Sequence, residues 1–136
     1  MEIKSQIFKA YDIRGKYPEE INEKAVEIIV KSLIKKLKPK KIVIGHDARL
    51  SSPELYRGAI RQLKTKSADR RIKLKTILTG MITTPMLYFL VNQLKADLGI
   101  MITASHNPKE YNGLKFVGKN AEPISGKEVY KILISN

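Results

Sequence analysis

The sequence predicts an α/β domain: a mixed, largely parallel sheet with helices on both faces. Three observations predict it. Apolar runs of strand length alternate with helix-spaced apolar patterns, and the connections between them are short. Two of the runs, Ile42-Val43-Ile44 and Leu98-Gly99-Ile100-Met101-Ile102, contain no polar residue, as buried strands of a parallel sheet should not. The helical patterns begin at residues that suit helix starts, namely Asn22, Ser52-Pro53, Thr84-Pro85 and Ser125.

Taken in order, Asn22 suits a cap, and Val26, Ile29, Val30, Leu33, Ile34 and Leu37 follow at helical spacing until Pro39 ends the helix. Lys41 to Gly45 reads as a buried strand. Ser52 then caps a second helix, with Pro53 and Glu54 in its first turn, running to about Lys66. From Ile72 to Leu78 apolar residues alternate with basic ones, which predicts a strand with one exposed face. Thr84-Pro85 opens a third helix through Leu94. Leu98 to Thr103 is a strand, and Leu114 to Val117 is a short strand returning beside it. Ser125 caps a last helix carrying Val129, Ile132 and Leu133. No repeat, low-complexity segment or linker interrupts this pattern, so residues 1–136 read as a single domain with a modest core.

Composition narrows the class. No apolar run approaches the roughly 18 residues of a membrane span, and no signal-peptide segment is seen, which predicts a cytoplasmic protein without a membrane partner. Zero cysteines exclude disulfides and thiolate metal sites. The net charge is +13, from 26 Lys plus Arg against 13 Asp plus Glu. That charge admits nucleic-acid binding, steering of an anionic small molecule, or a solvated basic surface. The cations cluster at Lys31–Lys41 and Arg61–Lys75 without interleaved aromatics, which favours the solvated surface and predicts no specific nucleic acid.

The polar residues concentrate in one stretch. Thr103-Ala104-Ser105-His106-Asn107-Pro108 follows an apolar strand, and Tyr111-Asn112-Gly113-Leu114-Lys115-Phe116 comes shortly after. Loops at the carboxyl ends of parallel strands are where open α/β sheets bind ligands. Ser105 there suits a nucleophile or a phosphate carrier, although a serine before Asn-Pro also suits a turn. A Ser-His-Asp hydrolase built from Ser105, His46 or His106 and Asp47 is the competing chemistry. The Gly-x-Ser-x-Gly elbow is absent, which weighs against it.

These two segments resemble the phosphoserine loop of the α-D-phosphohexomutases, the family of phosphomannomutases and phosphoglucomutases. Three further segments are similar to family motifs in the same order: Ala10-Tyr11-Asp12-Ile13-Arg14-Gly15, then Ile42 to Pro53 containing Gly45-His46-Asp47-Ala48-Arg49-Leu50-Ser51-Ser52, then Thr83-Thr84-Pro85-Met86-Leu87-Tyr88-Phe89. The chain resembles the amino-terminal domain I alone. His46 stands where the family usually has Arg, and Leu78-Thr79-Gly80 where an Asp-containing turn is common.

The resemblance implies a catalytic group of Ser105, Lys115, Arg14 and His106. Ser105 would carry the phosphate, and a phosphate there would be the chain's only metal contact. Arg14 and Lys115 would supply cationic stabilisation, with Lys115 also a candidate acid–base group. His106 would be a loop and phosphate contact. Tyr11 and Asn107 are implied on the substrate side, though Asn107 and Asn112 suit loop shaping better. The bland readings are a surface Arg14–Asp12 pair, a solvated Lys115, and a loop-stabilising hydrogen bond from His106. An Asp47–Arg49 pair reads as fixing its loop. The implied cofactor is Mg²⁺, with its main ligands on the remaining mutase domains. The implied substrate is a hexose phosphate, mannose or glucose, and the 136-residue chain alone is expected to be inactive. The alternative is a truncated or diverged, non-catalytic family member that acts as a binding or interaction module.

Overall fold

A computed structural model describes residues 2–64 and 74–136. In chain order the elements are β1 (Ile13–Lys16), α1 (Glu23–Leu37), β2 (Lys41–His46), α2 (Ser52–Leu63), β3 (Lys75–Met81), α3 (Thr84–Gln93), β4 (Leu98–Ile102), β5 (Tyr111–Val117), β6 (Pro123–Ile124) and α4 (Gly126–Ser135). Short 3₁₀ turns occupy Ser5–Ile7 and Lys119–Ala121.

The helices form where the apolar spacing and caps predict. Asn22 accepts the Ala25 amide at 3.0 Å, and α1 then buries Val26, Ile29, Val30 and Leu33 along one stripe. It ends at Lys38, held in the left-handed region (φ 48°), immediately before Pro39. Ser125 and Glu128 form a reciprocal capping box at the start of α4, which satisfies two otherwise orphaned amides. Thr83 caps α3 by accepting the Met86 amide.

The sheet is mixed, as expected, and runs β1-β5-β4-β2-β3, with β6 pairing β5. Its parallel part is β4, β2 and β3. β5 runs antiparallel to β4, and both β1 and β6 run antiparallel to β5. Helices cover both faces. Leu33, Leu55, Ile42, Ile100 and Phe116 belong to a core under α1, α2 and α4, and Leu87 and Val91 of α3 pack on Val43, Met101 and Val117 from the other side. Each fully buried Leu or Ile side chain is worth about 1.5–3 kcal/mol. β2 and β4 are therefore apolar on both faces.

Four expectations are corrected. Ser52 does not cap α2: Ser51 is the capping residue and makes no side-chain cap bond. The Ser52 hydroxyl is buried and donates to Asp47 Oδ1 at 2.5 Å instead. The helix closes at Leu63, with Lys64 as its C-cap, rather than near Lys66. β3 begins at Lys75, whereas Ile72 and the Arg70-Arg71-Ile72-Lys73 run lie outside the described residues. β3 also lacks clean alternation, with Leu78 half exposed, and its pairing with β2 skips Thr79, a bulge that shifts the register along the strand. Finally, β5 starts at Tyr111 rather than Leu114, because Tyr111 to Leu114 pair with β1, a strand the sequence did not announce.

Candidate active site

The loops after the parallel neighbours β2 and β4 leave the same end of the sheet side by side. Asp47 donates its amide to the Ile102 carbonyl at 3.0 Å, which carries the β2–β4 pairing past His46. The loop from Thr103 to Glu110 therefore stands over Asp47, Ala48 and Arg49.

Ser105 is exposed and adopts a left-handed conformation (φ 52°). That region disfavours side chains bearing Cβ, so the loop must hold it there. Thr103 contributes by accepting the Ser105 amide on Oγ1 at 3.0 Å. Asn107 closes the turn, with both its amide and its Nδ2 donating to the Ala104 carbonyl, at 3.0 and 2.8 Å.

Arg49 holds the rest. Its Nη1 donates to the carbonyls of Pro108 (2.7 Å) and Tyr111 (3.1 Å), and its Nη2 to those of Ser105 (2.9 Å) and Asn107 (2.6 Å). Asp47 Oδ2 lies 3.5 Å from Arg49 Nε, and Asp47 Oδ1 accepts the Arg49 amide and the Ser52 hydroxyl. The expected Asp47–Arg49 pair is present, but it fixes the serine loop as well as its own. The Asp-x-Arg spacing was visible in the sequence. Its four carbonyl partners were not, because a backbone carbonyl carries no sequence signature.

Arg14 is delivered by strand β1. Its Nε donates to Asp12 Oδ2 at 2.7 Å. Asp12 is only 3% exposed, so this is a buried anchor and not the surface pair considered above. Both terminal nitrogens of Arg14 lack a partner among the described residues, which leaves the outer fork open to an anion.

Lys115 lies on β5, and its neighbours Leu114 and Phe116 point into the α1/α2 core. Alternation puts Lys115 on the opposite face. Arg14 follows Ile13 of that same core and pairs with Gly113, so it shares the Lys115 face. Lys115 is half-buried and makes no ion pair among the described residues.

His106 is exposed, and it makes no loop-stabilising hydrogen bond among the described residues; Arg49 and Asn107 perform that task. Tyr11 is largely exposed (76%). It lines a concavity of about 600 Å³ with Lys9, Asp12, Arg14, Asn107 and Tyr111. Ser105 and Lys115 are outside that lining. Asn112 is fully buried and shapes the loop base, as read from the sequence.

The two unusual positions meet around Tyr56. The His46 ring packs on Tyr56 at 4.7 Å, and its Nδ1 donates to the Asp47 carbonyl. The Tyr56 hydroxyl accepts the Gly80 amide at 3.0 Å. Among the described residues no three His, Asp or Glu side chains gather to hold a metal ion, and no helix is long and apolar enough to cross a membrane.

The model of phosphoglucomutase/phosphomannomutase α/β/α domain I matches residues 5–134. A phosphomannomutase of Escherichia coli is 44% identical over 119 residues, which cover 88% of this chain and 25% of the relative. Phosphohexose mutases of Xanthomonas campestris pv. campestris are 42% identical over 118 residues, again 25% of the relative's length. Among solved structures, a phosphoglucomutase/phosphomannomutase family protein from Burkholderia thailandensis superposes with a TM-score of 0.81 at 28% identity. That match covers 98% of this chain and 31% of the other. The chain spans about a quarter of the length of these curated relatives.

Proposed function

The chain belongs to the phosphoglucomutase/phosphomannomutase family through its α/β/α domain I, and from that membership we propose that it is the phosphoserine-bearing domain of a phosphohexomutase. The proposed reaction moves phosphate between the 1- and 6-positions of a mannose or glucose phosphate through a bisphosphate intermediate. A cytoplasmic location suits so polar a substrate.

The observation that supports this most is Ser105 itself. It is exposed at the carboxyl end of β4, held at φ 52° by a loop whose carbonyls are already engaged. A serine hydroxyl is a weak nucleophile, so a serine that already carries phosphate avoids being activated in every cycle. In transfer, the Ser105 Oγ–P bond breaks as the sugar hydroxyl forms its O–P bond and loses its proton. The second half-reaction returns the other phosphate to Ser105. Such transfer depends on positioning and charge stabilisation. The open fork of Arg14 would hold phosphate oxygens, and Lys115 on the same face would balance charge and exchange the sugar's proton. His106 would contact the phosphate, and Tyr11 with Asn107 would border the sugar. Mg²⁺ would offset charge on the phosphate. The residues of this chain do not by themselves fit it, since no acidic cluster is present among those described. A phosphate on Ser105 would be their one ligand to it.

The remaining mutase domains are the proposed partners, and the 136-residue chain alone should show no turnover. Effective molarity from holding the sugar at both ends is worth roughly 7–11 kcal/mol of barrier, and one loop cannot supply that. The test is incubation of the protein, joined to the remaining domains, with a labelled hexose bisphosphate, followed by phosphopeptide mapping. Label on Ser105, lost with turnover in Ser105→Ala, is expected. Undiminished labelling and turnover in that variant would refute the proposal.

A further inference from the structure

An arginine has five N–H donors and no acceptor. Arg49 uses its four terminal donors on four loop carbonyls, and its Nε faces Asp47. It is also mostly buried, at 15% exposure. It therefore cannot grip a phosphate without releasing the loop.

Its effect on the loop follows from peptide geometry. In a trans peptide the carbonyl and the next amide point in opposite directions. The one cis bond among the described residues is Tyr17–Pro18. Because the Ser105 carbonyl points at Arg49 Nη2, the His106 amide points away from the guanidinium. The Pro108 carbonyl turns the Lys109 amide outward in the same way. Both residues are exposed, and neither amide has an acceptor among the described residues. Outward amides on a turn make an anion-binding surface.

We propose that Arg49 is a positioning residue that, by gathering carbonyls under the loop, directs the His106 and Lys109 amides toward a phosphate on Ser105. The inference rests on the reading of Ser105 as the phosphate carrier. It assigns the stabilisation of that phosphate partly to backbone amides, with Arg49 acting through them.

The test uses the chain with phosphoserine incorporated at position 105, followed by ³¹P and amide NMR against pH. A phosphoserine peptide of residues 103–110 is the reference. Hydrogen bonds to the dianion should lower its second pKa by about one unit from the usual ~6. The His106 and Lys109 amide protons should move with that titration. Arg49→Lys keeps the charge but cannot span four carbonyls, and it should lose more than half of the shift. Arg14, Lys115, His106 and Lys109 are the same in both proteins, so their charges cancel in the comparison. A phosphate that titrates like the peptide, or a full shift retained in Arg49→Lys, overturns the proposal. If Arg49→Lys does not fold, the wild-type amides decide: unresponsive amides overturn it, and amides that follow the titration support it. Labelling of Ser105 by hexose bisphosphate with an unperturbed titration overturns the role of Arg49 alone. Absence of labelling overturns the carrier reading beneath it.

Discussion

Asn112 reaches from β5 to the first turn of α2, where its Nδ2 donates to Ser52 Oγ at 3.0 Å with both residues fully buried. The same nitrogen reaches Ser51 Oγ at 2.7 Å, and Asn112 Oδ1 accepts the Gly113 amide. Ser52 passes the connection to Asp47, and Asp47 to Arg49. The strand leaving the serine loop and the arginine that holds the loop thus share one buried network.

Asn112→Leu should destabilise the chain by about 2–3 kcal/mol, the usual cost of leaving buried polar partners unsatisfied. The midpoint of urea unfolding measures it, with the slope unchanged if both end states keep their extent. A loss below about 0.5 kcal/mol, within the usual range for surface substitutions, would show that the network is not load-sharing.

Gly113→Ala should be worse, at about 3 kcal/mol or more, in the range reserved for overpacking and backbone disruption. A Cβ there would stand 1.9 Å from the Ile13 carbonyl, which is backbone and cannot swing aside. The pairing of β1 with β5 would open and Arg14 would be displaced with it. Gly80→Asn is the contrast. Its φ of 71° is left-handed but its Cβ direction is empty, and Asn tolerates that conformation at a cost of about 1 kcal/mol. Equal effects at the two sites would contradict this reading.

Alkaline pH should weaken the fold through Tyr17. Its hydroxyl donates to Glu23 Oε1 at 2.7 Å. That bond, then partial burial and the charges of Glu23 and Glu54, push its pKa up to about 12 from 10.0. A raised pKa means the stabilisation is complete below pH 10 and lost as pH climbs through about 12. Tyr17→Phe should be less stable below pH 10 and should converge on wild type above pH 12. Parallel curves across that window would rule the link out.

The acid side should depend on Asp97. Burial opposes its charge, but the amides of Lys40 and Lys41, with Lys119, outweigh it and hold the carboxyl below its ordinary value. A depressed pKa gives stabilisation that is present above the ordinary value of 3.8 and fades as pH falls below it. Asp97→Asn should flatten the acid limb of a pH–stability curve recorded by thermal unfolding.

Arg14→Ala and Lys115→Ala should each lower kcat on the order of a hundredfold in a chain bearing the remaining mutase domains, as removal of one charge-stabilising donor typically does. Arg14→Lys should restore little, because one ammonium cannot both bind Asp12 and present an open fork. A coupled assay with mannose 1-phosphate and glucose 1-phosphate measures this. Near-wild-type turnover in both folded alanine variants would remove these residues from the site.

The sequence by itself determined the helices that carry local signals. Asn22 and Ser125 cap because a side-chain oxygen near the first free amides needs nothing distant, and Lys41–Gly45 and Leu98–Ile102 are strands because they are apolar on both faces. Ser105, Arg14 and Lys115 were also singled out by motif. What only the tertiary structure decided depends on partners far along the chain. β1 is four residues with no strong pattern and exists because β5 pairs with it. Ser52 looked like a cap until Asp47 claimed its hydroxyl. Arg49 looked like half of an ion pair until folding brought four carbonyls from 56 to 62 residues away within its reach. Side-chain periodicity and capping are local and leave a trace in the sequence. Hydrogen bonds to backbone carbonyls leave none, because every residue has one.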